Sequence, residues 1–249
     1  MDVEEKMNKK DAFAYVQSVV QRLRIVKKNM SYDEIQQATG IHRTLLCRYV
    51  TGSIRPSVEQ AMLIDRLILS DSRFIDMLRD RMMVRANGYL DLHLLLSDPD
   101  ALKWIAGKIS SDFKGEDIDT VLTAASSGIP LATSIAIEIG ARLVYATRNK
   151  SSGAVSYLES DIQADNPSEI FTLYIPSAWI KRGSKVLVVD DVATTGKTMA
   201  SLIQLGNKAG CKVKGIFVLV SRSNRWRERI SGLIDKSDTK ISILFEVGL

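Results

Sequence analysis

Lys185-Val186-Leu187-Val188-Val189-Asp190-Asp191-Val192-Ala193-Thr194-Thr195-Gly196-Lys197-Thr198 is the stretch around which the rest of the chain is read. Four apolar, mostly β-branched residues in a row, Val186 to Val189, predict a strand buried on both faces, as found inside a parallel sheet. Two carboxylates follow at its C-terminal end, where open α/β sheets place their ligands. A loop of small hydroxyl residues and glycine comes next, and Met199 to Ala209 has helical periodicity. Backbone N–H groups of such a loop, with the positive end of the helix, form a phosphate cradle to which Thr194, Thr195 and Thr198 add hydroxyls. Adjacent carboxylates on a buried strand end repel each other, so the pair needs a ligand or cation.

Gly196-Lys197-Thr198 also ends the nucleoside-triphosphatase P-loop. That motif requires glycine five positions before Gly196, where this chain has Asp191, so it fails at its first residue. The stretch instead resembles the phosphoribosyl-pyrophosphate (PRPP) motif of type I phosphoribosyltransferases. The resemblance implies that Asp190 and Asp191 hold ribose hydroxyls, and that Ala193, Thr194, Thr195, Gly196, Lys197 and Thr198 bind the 5′-phosphate.

Upstream of the motif the chain alternates strand and helix. Asp119 to Ala125 reads as a strand, Ser126-Ser127-Gly128-Ile129-Pro130 turns into a helix through Ile139, and Ala141 to Ala146 is the next strand. Such alternation predicts a parallel sheet with helices on its faces. The family resemblance assigns pyrophosphate binding to Ser126, Ser127 and Gly128, whose small size permits close backbone approach. It assigns phosphate contact to Arg148 and Lys150, although relatives often carry the two charges side by side and here Asn149 separates them. Ser151 to Asn166 is polar and matches the family's flexible loop, which closes over PRPP. Glu169 to Ile175 and Lys214 to Val220 read as further strands. Arg222, Arg225, Arg227 and Arg229 form a basic run expected to be a solvated helix face or a dimer edge. Ile241 to Leu249 should add a strand or a small hood over the base pocket.

The first third is all helix. Apolar spacing predicts a helix from Asp11 to about Lys28. Ser31 and Glu34 make a capping box for a second that ends at Gly40, and a third runs from about His42 to Val50 and stops at Thr51-Gly52. Ser57 caps a fourth, and Ser72 to Arg85 forms a fifth. Helix, glycine turn, helix is a helix-turn-helix, and Ser31 to Pro56 resembles the phage-repressor class of these domains. With Ile41, Leu46, Tyr49 and Val50 facing the core, His42, Arg43, Thr44, Cys47 and Arg48 face outward. Arginine is the usual reader of guanine, and Thr51, Ser53 and Arg55 lie where backbone phosphates would pass. Gln36 stands where the motif usually has a small alanine, so either the helix crossing opens or Gln36 bonds across it. His42 has no cluster of metal-ligating residues around it, and no metal site is expected.

Charge agrees with this division. Residues 1–85 hold 15 Lys+Arg against 11 Asp+Glu, while the remaining 164 hold 19 against 18. The positive excess in the first third points to a polyanion there. Two cysteines, Cys47 and Cys211, suggest no disulfide framework. No run reaches the roughly 20 apolar residues of a membrane span, and the acidic start lacks a signal peptide, so a cytoplasmic protein is expected. Asn87-Gly88 is the best boundary signal. The expected layout is an α/β chain with a helix-turn-helix domain over 1–87 and a type I phosphoribosyltransferase-like parallel-sheet domain over 88–249, with Trp104 packing a helix onto the sheet.

As a whole the sequence resembles the archaeal phosphoribosyltransferase-like transcription regulators (GfcR-type) and, more distantly, the bacterial purine repressors that join a DNA-binding domain to the same fold. The resemblance implies a homodimer that reads a palindromic operator in double-stranded DNA. It also implies an effector, PRPP or a nucleotide, no tightly bound cofactor, and Mg2+ arriving only with PRPP. An active phosphoribosyltransferase is the alternative. Orotate enzymes carry a basic, histidine-containing mobile loop, and Ser151 to Tyr157 has neither feature, so binding without appreciable turnover is expected.

Overall fold

The computed structural model describes residues 9–70, 72–86, 88–150, 153–163 and 170–247. Two units divide the chain, Met1–Gly107 and Lys108–Leu249. The first contains α1 (Lys9–Lys27), α2 (Tyr32–Thr39), α3 (Arg43–Thr51), α4 (Val58–Ser70) and α5 (Ser72–Asp80). A small antiparallel pair follows, β1 (Met83–Val84) with β2 (Leu90–Asp91), then α6 (His93–Leu96) and α7 (Pro99–Asp112). Ser31 and Glu34 form the capping box of α2, and Gly40 ends that helix in the left-handed conformation at φ 71°. Val19, Leu23, Ile35, Leu46, Ile64 and Ile68 are fully buried and pack α1, α2, α3 and α4 into one core.

An ion pair lies inside that core. Arg22 Nη2 and Nε donate to Asp65 Oδ1 at 2.6 and 3.1 Å, Arg22 Nη1 donates to Ser18 Oγ at 2.7 Å, and the Tyr15 hydroxyl donates to Asp65 Oδ2 at 3.0 Å. Burial, followed by the Asp65 charge, pushes the Tyr15 hydroxyl well above the usual phenol range. Every strong acceptor and donor of the pair is met, as burial of charge requires.

Trp104 does not pack α7 onto the sheet. Its ring stacks on Phe74 at 5.0 Å between centroids and its Nε1 donates to the Ile68 carbonyl at 3.2 Å, so it completes the first core. Asn87 lies outside the described residues. Leu90, Leu92, Leu95 and Leu96 are buried beyond it, and the division between the units falls inside the sequence of α7. Glycine at 88 marks the tip of the β1–β2 turn, which reads locally like a linker.

The second unit alternates as the apolar runs require. Its elements are β3 (Thr120–Ala124), α8 (Gly128–Ile139), β4 (Arg142–Ala146), β5 (Tyr157–Gln163), β6 (Ile170–Pro176), β7 (Lys185–Ala193), α9 (Lys197–Lys208), β8 (Lys212–Ser221), α10 (Arg225–Ile230) and β9 (Lys240–Glu246). Five strands make a fully parallel sheet in the order β4-β3-β7-β8-β9, which puts β7 at its centre. Val186, Leu187, Val188 and Val189 are each fully buried, which accounts for the unbroken apolar run.

One local expectation needs correction. Ser151, Ser152 and residues 164–166 of the anticipated flexible loop lie outside the described residues, but Tyr157–Gln163 is a strand, paired antiparallel with β6. Its alternation is hidden because one inward position is polar: Leu158 and Ile162 pack on the core while Ser160 between them donates to Gln204 Oε1 at 2.8 Å. For the final segment, of the strand and the hood that the sequence left open, the strand is the one formed: β9, at the edge of the parallel sheet.

Candidate functional site

Four neighbouring strands deliver four loops to one edge of the sheet. Ala124 pairs with Ala146, so the loops after β3 and β4 leave side by side. Thr120, Val121 and Leu122 pair with Val186, Leu187 and Val188, a register that sets Ala124 level with Asp190. Ala193 pairs with Ser221 across β7 and β8. Residues 125–128, 147–150, 190–198 and 222–229 therefore gather at the C-terminal edge, the ligand-binding edge of an open α/β sheet.

Asp190 is buried and Asp191 half-buried. The two are hydrogen-bonded to one another through the chain, Asp191 N donating to Asp190 Oδ1 at 3.1 Å, and Val192 N donates to Asp191 Oδ1 at 3.0 Å. Burial first, then the Asp191 charge, holds the Asp190 carboxyl well above the usual carboxylate range. Proximity of the two carboxyls and burial thus disfavour the charged form of Asp190. A ligand hydroxyl or a divalent cation brought close would favour the charged form.

The loop beyond the pair is rigidly built. Gly196 has φ 74° and caps α9 without a side-chain partner, so the first amides of α9 have no acceptor within their own helix. A Cβ on Gly196 would stand 2.6 Å from both Cα and Cβ of Trp226. Three successive carbonyls are tied back to the segment after β8. Arg222 N donates to Ala193 O at 2.9 Å, Ser223 Oγ to Thr194 O at 2.6 Å, and Arg229 Nε to Thr195 O at 2.7 Å. Fixing these carbonyls holds the loop at the start of α9, where a helix N-terminus favours an anion. Ala193 is buried; Thr194, Thr195, Lys197 and Thr198 are half-buried.

The supporting segment was not expected to belong to the site. Arg227 does behave as part of a solvated face, pairing with Glu246 at 2.9 Å, but Arg229 grips the loop. The available signal was Trp226 inside the basic run. It is fully buried, and its Nε1 donates to Ser221 Oγ at 2.9 Å.

Ser126 and Ser127 are exposed and Gly128 is buried at the start of α8. The Ala125–Ser126 peptide is cis. A side chain at Gly128 would collide with Thr123 Oγ1, a buried hydroxyl with no hydrogen-bond partner among the described residues. The backbone of this loop therefore lies directly on the end of β3. Arg148 and Lys150 are exposed and both engage the β5–β6 pair: the Arg148 guanidinium sits 4.5 Å from the Phe171 ring centroid, and Lys150 pairs with Glu159 at 2.6 Å beneath Tyr174. Among the described residues no cluster of three His, Cys, Asp or Glu side chains could hold a metal by itself.

In the first unit, His42, Arg43, Thr44, Cys47, Arg48, Thr51, Ser53 and Arg55 are all exposed, while Ile41, Leu46 and Tyr49 are buried. Gln36 bonds across the helix pair, its Oε1 accepting from Arg43 N at 2.7 Å. His42 is the N-cap of α3, with Nδ1 accepting from Thr44 N at 3.3 Å, so its ring is committed partly to its own helix. No helix among the described residues is long and apolar enough to cross a membrane.

Comparison with known proteins shows the family and the fold. The family described as "Phosphoribosyl transferase domain" matches residues 97–248. The "Probable purine biosynthesis transcriptional regulator PurR" of Streptococcus pneumoniae serotype 4 is 30% identical over 147 residues, covering 57% of this chain and 52% of that protein. The orotate phosphoribosyltransferase of Sulfolobus acidocaldarius is 30% identical over 146 residues, 58% of this chain and 64% of its own length. The chain thus spans about half to two-thirds of the length of these relatives. Among solved structures, adenine phosphoribosyltransferase from Rhodothermus marinus superimposes with a TM-score of 0.62 at 20% identity, covering 71% of this chain and all of that one, a likeness of fold.

Proposed function

We propose, from the premise that the chain belongs to the phosphoribosyl transferase domain family, that it is a DNA-binding transcriptional regulator whose phosphoribosyltransferase-like unit senses PRPP or a related nucleotide. One observation carries the reading. A polar, exposed face on α3 and a carboxylate pair followed by a Thr/Gly loop between β7 and α9 occur in one chain. Similarity to a purine-biosynthesis regulator supports the regulatory half, and the sequence resembles the archaeal GfcR-type regulators. Control of nucleotide metabolism genes by a homodimer on a palindromic operator is the corresponding role.

In this reading the amides of residues 195–198 take the 5′-phosphate, Asp190 and Asp191 take the ribose hydroxyls, and the 125–128 loop takes pyrophosphate. Mg2+ enters with PRPP, since one or two carboxylates plus substrate phosphates are its usual ligands. The second reading, a working phosphoribosyltransferase, is favoured by similarity to an orotate enzyme. Two assays on the full chain separate them. PRPP binding by calorimetry, lost in Asp191→Asn, is the expected result, with no pyrophosphate released when purine bases, xanthine or orotate are added. Pyrophosphate release would make the chain an enzyme; absence of PRPP binding would remove the sensor reading.

A further inference from the structure

The first unit carries a groove of about 220 Å³ lined by Val16, Gln17, Val20, Gln21 and Arg24 of α1 and by Tyr49, Gly52, Ile54 and Arg55 at and after the end of α3. Two features make it more than a gap between helices. Its lining holds two arginines and no acidic side chain, and among the described residues neither arginine forms an ion pair. Each guanidinium is also held in place by one contact that uses little of its donor capacity. Arg24 Nε donates to the Val50 carbonyl at 2.8 Å, and Gly52, left-handed at φ 80°, leaves room for Arg24 Nη2 to close over the helix end. Arg55 lies with its guanidinium carbon 4.5 Å from the Phe13 ring centroid. A guanidinium has five N–H donors, so both arginines retain a free fork suited to a phosphate.

The geometry points to this groove as a binding site for one phosphodiester of duplex DNA, held by Arg24 and Arg55 with the Gln17 and Gln21 amides beside them. The inference rests on the DNA-binding reading above. It follows from the length of the recognition helix. Nine residues at 1.5 Å rise make α3 about 14 Å long, and the major groove is about 12 Å wide. A helix lying across base edges therefore brings its end against the phosphate wall. At that end stand the Thr51 and Ser53 hydroxyls, 2.9 Å apart, and then the mouth of the groove. Two positive charges anchored beforehand pay little ordering entropy on meeting the strand. They would strengthen binding to every sequence alike, leaving selectivity to α3.

The test measures binding of the full chain to a labelled random-sequence duplex by fluorescence anisotropy over a series of KCl concentrations. Each phosphate neutralised contributes close to one unit to the slope of log Kobs against log [KCl]. Arg24→Gln and Arg55→Gln should each flatten that slope, by about one when combined because a single phosphate is neutralised, with weaker binding at every salt concentration. Arg24→Lys should keep the slope, because it keeps the charge; a role confined to capping α3 would not be rescued by lysine. Should Arg24→Gln fail to fold, Arg55→Gln decides, since Arg55 holds no helix end. A wild-type chain that binds with a steep slope unaltered in the glutamine variants overturns the groove while leaving DNA binding intact. A wild-type chain that binds no duplex even at low salt overturns the DNA-binding reading itself.

Discussion

Asp190 is a single residue whose ionisation sets a measurable liability. Its folded value lies above the ordinary aspartate value of about 3.9. Across that window the native chain holds a proton that the unfolded chain has released, so stability falls as pH rises through it and levels off above. Asp190→Asn retains an oxygen to accept from Asp191 N and carries no charge. The variant should therefore be more stable than wild type at neutral pH without ligand, the gap closing as pH drops toward about 4. Denaturation midpoints over a pH series read this directly, and equal midpoints at neutral pH would show that the buried carboxyl has no such cost. The reverse situation holds at Asp65. There the charge is paired, and Asp65→Ala would strand Arg22, which is 2% exposed, in an apolar core. A loss of about 3–5 kcal/mol in unfolding free energy is expected. A loss below about 1 kcal/mol would mean that water reaches Arg22.

At the level of elements, the loop between β7 and α9 owes its shape to a segment some thirty residues later, α10 and the turn before it. Gly196→Ala tests that dependence. The new methyl must meet Trp226 and the backbone must hold φ 74° with a side chain present, so a destabilisation of at least about 1–3 kcal/mol is expected, together with loss of PRPP binding. A variant that binds PRPP normally would show that the loop does not need the Trp226 contact. This scale also separates what the sequence discloses from what it hides. Val186 to Val189 announce a central strand because both faces are buried and no polar residue interrupts them. Gln36, Ser31 and Gly40 disclose α2 because their effects are local. β5 stays hidden because Ser160 takes an inward place and is satisfied by Gln204, a partner on α9 more than forty residues away. The grip of Ser223 and Arg229 on the loop is hidden for the same reason: nothing near either residue in the chain says which carbonyl it will meet. Trp104 reads equally well as a packing residue for either unit, and only the place of Phe74 decides between them.

For the whole molecule, the proposed recognition helix and the proposed effector site lie in different units, and the positive excess is largest over residues 1–85 of the first. Ligand binding should then leave a restricted footprint. Hydrogen exchange on the full chain with PRPP is expected to slow at residues 123–130, 188–199 and 221–230, the three loop regions that converge at the sheet edge. At a ligand concentration 100 times its Kd the unfolding free energy of the unit that binds it should rise by about 2.7 kcal/mol. Protection centred instead on α1 to α4 would put the effector in the helical unit.

The burial of Asp190 beside Asp191 also bears on the lifetime of the protein. In the proposed sensor, two acids kept together make the chain weakest when the ligand is scarce. Quality-control proteases sample the opened fraction, and a difference of 1–2 kcal/mol alters steady-state abundance several-fold. Scarcity of phosphoribosyl metabolites would then thin the population of regulator molecules as well as emptying them, and the cell would register the shortage twice.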